Sequence, residues 1–310
     1  MVRFSRSRRA RPTYRPKRRY TKRTYATRSK RTTYRRRGTT RFASRKRILN
    51  VATTKKKDTM IASRGTMLDT GRSLGITTVV PDSNGVNVPI PYLFVASGRE
   101  PINAGSPGFP ADTPTRTRSD VFMRMLVENI KIETGSSHPW NWRRIVFTSK
   151  DIGLVTAPGD VLVEPFWLNA SGYTRYTGAL FGDSTSNAIQ ANVINNVFTG
   201  RYLTDWSDMM TAKTDSRRVT VWHDKVISIR SGNDQGVSRV YKKVHVFNKN
   251  FLYNDAESGG VIDGEPWSTS AKPGMGNIFV LDIFKPHDSA SGAEQGLTFN
   301  PTGTLYWHEK

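Results

Sequence analysis

The sequence predicts an all-β sandwich or barrel carried behind a long basic arm. Three observations lead there. The first 57 residues hold 24 of the 48 Lys and Arg and none of the 25 Asp and Glu, the first acid being Asp58. From Val79 onward, short β-branched and aromatic runs alternate with Gly, Pro, Asn, Asp and Ser loops, the pattern of many short strands. Helical periodicity is confined to one segment. The net charge of +23 is therefore +24 from residues 1–57 and −1 from residues 58–310. A near-neutral body can fold and pack, whereas the arm repels itself and has little to bury. It is expected to stay unfolded until a polyanion neutralises it. These are the two expected domains: 1–57, a basic disordered arm, and 58–310, a folded body.

The arm is built of basic blocks separated by rings. After Arg3 and Arg6, the bases expected to hold nucleic acid are Arg8, Arg9, Arg11, Arg15, Lys17, Arg18, Arg19, Lys22, Arg23, Arg28, Lys30, Arg31, Arg35, Arg36, Arg37, Arg41, Arg45, Lys46 and Arg47, and the arm closes on Lys55-Lys56-Lys57. Tyr14, Tyr20, Tyr25 and Tyr34 are threaded between them. Arg and Lys hold phosphates irrespective of base sequence. Tyrosine rings stack on unpaired bases, which favours single strands. The arm thus reads as a nucleic-acid-packaging segment. Its densest blocks, Lys17-Arg18-Arg19, Arg35-Arg36-Arg37 and Arg45-Lys46-Arg47, also match a nuclear import signal. A solvated basic tail without a dedicated partner is the plain alternative. Membrane-surface binding needs an apolar helix face, and apolar β-branched residues are scarce before Ile48.

The strands follow in order. Val88–Val95, Val121–Glu133, Trp142–Thr148 and Val161–Leu168 come first. Arg217–His223, Lys225–Arg230, Arg239–Phe247, Ile278–Lys285 and Leu305–His308 complete the set. Val219 and Val221 share a face, as do Ile227 and Ile229, and Val240, Val244 and Val246; a period of two implies one buried and one exposed side. Ile278–Phe284 is apolar on both sides except for Asp282, so it is expected to be a central strand covered twice. Ser184–Phe198 has Ile189, Val193 and Val197 at helical spacing, with Asp183 or Ser184 as cap and Gly200 as stop. The connections Ser97–Asp120, Glu257–Gly276 and Pro286–Gly296 are long, and long loops on a compact β framework are usually functional. Most of the seven Trp flank strands and are expected in the core, with some left as interface anchors.

No enzyme chemistry is signalled. The chain has no cysteine, which excludes disulfides and thiolate zinc sites. The five histidines form no metal-ligand pattern, and neither a nucleophile elbow nor a phosphate loop is present. His223-Asp224 is the one adjacent His–carboxylate pair, and it reads as a strand-end pair rather than a dyad. No apolar run approaches the roughly 18 residues of a membrane span. No catalytic residue, metal or cofactor is expected.

A basic arm ahead of a loop-rich β sandwich resembles the organisation of jelly-roll capsid proteins. The stretch from Ile48-Leu49-Asn50-Val51 to Lys55-Lys56-Lys57-Asp58-Thr59-Met60 resembles the arm-to-shell junction of genomovirus (gemycircularvirus-type) capsid proteins. Phe166-Trp167-Leu168-Asn169 followed by Tyr173–Phe181 is similar too. Val240-Tyr241-Lys242-Lys243, then Phe251-Leu252-Tyr253-Asn254, then Ile278–Phe284 is similar in order to the C-terminal half of the more distant geminivirus coat proteins. Their cysteine and histidine cluster is absent here, which favours the genomovirus relative. The resemblance implies a single jelly roll with an eight-stranded core, long loops and a short helix. It implies self-assembly into an icosahedral T=1 shell of sixty subunits around a circular single-stranded DNA, with the virion and the host nucleus as locations. The partners so implied are the DNA, other copies of the chain and a host nuclear import receptor, with no membrane. Sixty arms would carry about 1,440 positive charges, suited to a genome of roughly 1.5–3 kilobases. A nuclear nucleic-acid-binding or shuttle protein that builds no shell is the alternative from another class.

Overall fold

The computed structural model describes residues 51–65, 72–80, 88–103, 106–157, 161–162, 166–169, 172–180, 184–287 and 296–310. Eight principal strands follow one another along the chain: β1 (Thr54–Met60), β2 (Ile90–Val95), β3 (Asp120–Thr134), β4 (Trp140–Ser149), β5 (Thr220–Ile229), β6 (Val237–Leu252), β7 (Asn277–Pro286) and β8 (Leu297–Glu309). One sheet has the order β1-β8-β3-β6 and the other β5-β4-β7-β2, with every neighbouring pair antiparallel. The first strand thus pairs with the last, and the chain crosses between sheets until both are complete. That is the jelly roll, all-β as expected, with its eight-stranded core.

The predicted strands are present with modest shifts. Arg217–His223 and Lys225–Arg230 are one strand, β5, interrupted only by a register shift between Val221 and His223. Val161–Leu168 is not one strand: Val161–Leu162 and Leu168–Asn169 pair with different partners. β8 is much longer than expected because Thr298, Asn300, Thr302 and Thr304 alternate with buried Phe299, Pro301, Gly303 and Leu305, a pattern too polar to stand out. β7 lies between β4 and β2 and is buried on both sides. The helix α1 (Ser184–Val197) buries Ile189, Val193 and Val197 in the cluster that also holds Phe279 and Leu281. Its stop is Gly200 at φ +84°, a backbone angle that disfavours side chains. Asp183 lies outside the described residues.

β6 reverses a natural expectation about its valines. Val240, Val244 and Val246 form the exposed face, at 67%, 48% and 48% exposure. The opposite row carries Tyr241, Lys243, His245 and Phe247, with the last two buried. Tyr241 packs edge-on against Trp142 at 5.4 Å and the Lys243 ammonium lies 5.3 Å from that indole. Large rings bury more area than valines, so they set which face turns inward.

The interior is divided by charge. One apolar cluster contains Leu126, Val146 and Val280, and a second contains Ile130, Trp142 and Phe284. Glu128, Arg144 and Asp282 occupy the inward positions between them on β3, β4 and β7. Arg175, from a short strand (Arg175–Tyr176) that pairs in parallel with Ala62–Arg64, completes a neutral set of two acids and two bases, all fully buried. Its Nε donates to Glu128 at 3.0 Å and its Nη2 to Asp282 at 3.0 Å. Arg144 Nη2 donates to Glu128, and Trp142 Nε1 donates to Asp282 at 2.8 Å. Burial lowers both arginines to about 10, still charged at neutral pH. Such a network links the two sheets and the Arg175 strand through buried ion pairs, and removing one member would leave a buried charge unmatched.

Candidate nucleic-acid interface

The arm residues singled out by sequence, from Arg8 to Arg47 with Tyr14, Tyr20, Tyr25 and Tyr34, lie outside the described residues. The exception is the last block, and it corrects the arm's boundary. Lys55-Lys56-Lys57 are strand residues in β1, paired with His308, Trp307 and Tyr306 of β8. The folded body therefore begins ahead of Thr54 rather than at Asp58. A run of three lysines carries no apolar periodicity, so in sequence they are indistinguishable from the charges that precede them.

Strand alternation gives these lysines opposite fates. Lys56 points inward and is 2% exposed. Its Nζ donates to the carbonyls of Asp112 at 2.6 Å and Thr115 at 3.1 Å, and lies 3.9 Å from Glu309. Glu309 also accepts from the Thr117 backbone N–H at 3.1 Å and from Trp307 Nε1 at 2.8 Å. Asp58, two residues on, pairs with Arg99 at 2.7 Å. The Arg99 guanidinium lies over the rings of Tyr173 and Trp307, at 5.0 and 5.4 Å. Arg116 forks onto Asp255 at 2.5 and 3.0 Å and lies over Tyr253 at 3.7 Å. The loop Ser97–Asp120 is thus held by buried ions to the strand where the arm ends. Lys55 and Lys57 instead point outward and are exposed.

His223 and Asp224 separate, as adjacent strand residues must. Asp224 turns to Arg143, whose Nη2 lies 2.7 Å away, while His223 faces His245 with ring centroids 5.0 Å apart. Burial and the Arg144 charge push His245 down to about 3, and burial with the Lys243 charge lowers His223. Both rings are therefore neutral at physiological pH. Trp140, Trp142, Trp267 and Trp307 are core residues, while Trp167, Trp206 and Trp222 are half-buried. Among the described residues, Phe109, Leu203, Val261 and Ile262 are exposed large apolar side chains on the connections between the principal strands. Leu203 is held at φ +63°, uncommon for a side-chain-bearing residue, with its side chain in solvent. No helix among the described residues is long and apolar enough to cross a membrane.

No family model matches the chain, and no curated protein matches it. Among solved structures, the chain has some likeness to VP1 of Trichodysplasia spinulosa-associated polyomavirus. The structure in complex with GM1 oligosaccharide is 8% identical at a TM-score of 0.17, over 83% of this chain and 93% of that one. VP1 alone is also 8% identical at 0.17, over 83% and 92%. VP1 in complex with sialylated precision glycooligomers is 10% identical at 0.17, over 82% and 93%. These are viral capsid proteins, but an overlap of that size carries no argument about this chain, and the reading of its function rests on its own residues.

Proposed function

We propose that this chain is the shell subunit of a small single-stranded DNA virus, of the genomovirus capsid type. Copies of the jelly-roll body tile into a T=1 shell of sixty, and the arm condenses a circular single-stranded genome inside it. The observation that carries this reading is the charge partition. With the boundary at residue 50, the arm holds 21 bases and no acid, and residues 51–310 hold 27 bases against 25 acids. Sixty arms then supply about 1,260 positive charges, still suited to a genome of roughly 1.5–3 kilobases.

The arm bases neutralise phosphates, and Tyr14, Tyr20, Tyr25 and Tyr34 stack on bases. Lys17-Arg18-Arg19, Arg35-Arg36-Arg37 and Arg45-Lys46-Arg47 engage a host import receptor, so that assembly takes place in the nucleus. The body makes the lateral contacts, with Phe109, Leu203, Val261 and Ile262 as apolar points on its loops. It performs no catalysis. Electron microscopy of the purified full chain with circular single-stranded DNA tests this. Uniform spheres about 20 nm across are expected from packing sixty domains of this size. Discrete monomers at every concentration would overturn the shell and leave a nuclear nucleic-acid-binding protein.

A further inference from the structure

The outer face of the β1-β8-β3-β6 sheet changes character along its length. At one end, β8 presents Thr298, Asn300 and Thr302, and β3 presents Lys131 held by Glu133 at 2.8 Å. Beside them β6 presents Lys242, so this end carries two lysines and one acid among neutral side chains and no ring. At the other end, β1 presents Lys55 and Lys57, β8 presents Tyr306 and His308, and β3 presents Phe122 and Arg124. Lys55 sits opposite His308 and Lys57 opposite Tyr306. His308 sits opposite Phe122, their ring centroids 6.2 Å apart and tilted by 37°. Arg124 is the extra residue where β3 slips register against β8, since Tyr306 pairs with Met125 and the next residue, Trp307, with Met123; on the other side Phe247 and Asn248 of β6 both stand opposite it. Bulges re-aim side chains, and this one leaves Arg124 exposed, steadied by a hydrogen bond to Asn248 Oδ1. Burial lowers the His308 pKa, with the Arg124 and Lys55 charges adding to it, so all three groups share one local field. The exposed acid at this end is Asp120, at the very start of β3.

We propose that this end of the sheet is a second contact for single-stranded nucleic acid, with bases stacked on Phe122, His308 and Tyr306 and phosphates held by Lys55, Lys57 and Arg124. Cations interleaved with rings on an open sheet are what a flexible, unpaired strand needs, and a duplex cannot offer its bases to them. A second copy of this chain fits the patch poorly, because Lys55, Lys57 and Arg124, which form no salt bridge among the described residues, would meet their like or an apolar surface. The covalent chain adds a further reason: Lys55 follows Arg47, the last arm base, by eight residues. A strand drawn in by the arm is thereby delivered to the sheet at high effective concentration.

The proposal rests on the reading that the arm binds single-stranded DNA, and ultraviolet cross-linking separates the two. Full-length protein is irradiated with an oligothymidylate and the cross-linked peptides are identified by mass spectrometry. Adducts are expected on the arm tyrosines and also on Phe122 and on Tyr306 or His308. In the full-length K55E/K57E/R124E variant the body adducts should vanish while the arm adducts stay. The slope of log affinity against log salt should shrink by about two, the share of three phosphate contacts on a single strand. All three residues are exposed, and circular dichroism melting verifies that the variant is folded. As a second variant, Tyr306→Leu keeps the outer face covered and should remove the Tyr306 adduct without altering the salt slope. Adducts on the arm alone would overturn the sheet contact and leave the proposed function standing. Adducts on neither would remove both.

Discussion

The first 50 residues and the 260 that follow use the same cationic side chains for opposite ends. In the arm, 21 bases have no acid in their own segment, so their charge is available to something outside the chain. In the body, Arg99, Arg116, Arg144 and Arg175 are each almost wholly buried and each is paired to a carboxylate. A guanidinium taken out of water must be matched at once by an acid and by carbonyls, or it costs several kcal/mol. An exposed base costs nothing to leave unmatched, and its charge is screened until a polyanion arrives. The number of bases therefore says little about a region; where its acids lie says what the bases are for.

The sharpest way to break this comparison is to cut at the boundary. Removing residues 1–50 should lower affinity for single-stranded DNA more than about a hundredfold near physiological salt and abolish packaging and nuclear entry. The melting temperature of the body should stay where it was. Removing residues 1–57 should do the same to binding but also delete most of β1 and Lys56, leaving the carbonyls of Asp112 and Thr115 and the Glu309 carboxylate without it. That body should melt about 10 °C lower or aggregate. Equal melting of the two truncations would mean that β1 is dispensable and the boundary lies elsewhere.

The interior ion set comes next in size. Asp282→Asn or Glu128→Gln leaves two buried arginines sharing one carboxylate and should destabilise the body by about 3–5 kcal/mol in urea unfolding. A loss under about 1 kcal/mol would show that the four ions do not act as one network.

Acid should weaken the body through His245. Its folded pKa, about 3, lies below its ordinary value, so folded protein binds fewer protons than unfolded protein in between. Stability is then fully present above about pH 6.5 and falls as pH drops from there toward 3. The groups that hold His245 neutral besides burial are Arg144, His223 and Lys243. Comparing urea midpoints near pH 7.5 and near pH 5 measures the effect, and His245→Phe should flatten it.

The smallest effect expected on stability concerns the outward valines. Changing Val240 and Val244 to Thr should alter stability by no more than about 0.5 kcal/mol, since both already face solvent. Light scattering during assembly shows whether that face also serves association. Unchanged particles would place the lateral contacts on the loops.

Much of the framework is legible in the sequence. The spans of β3, β4 and β7 and of α1 follow from apolar periodicity within a residue or two, because each buries a predominantly apolar row. β8 is legible only at its end, since Thr298, Asn300, Thr302 and Thr304 face out along the rest of it. Asp282 stood out as the lone acid in an apolar strand, but its partners come from residues 128, 144 and 175, which no spacing rule connects. The same holds for the outer sheet face: Lys55, Phe122, Arg124 and Tyr306 are neighbours only because the last strand lies between the first and the third.

By itself, the order of residues determined the segregation of charge, the all-β character and the absence of cysteine chemistry, because composition and period-two patterning are local properties. Only the tertiary structure decided which of three consecutive lysines is buried, which face of β6 turns inward and which charges meet in the interior. Those outcomes depend on what lies across the sheet, and strand partners distant along the chain are chosen by packing and by the need to satisfy every buried ion, not by any neighbour in sequence.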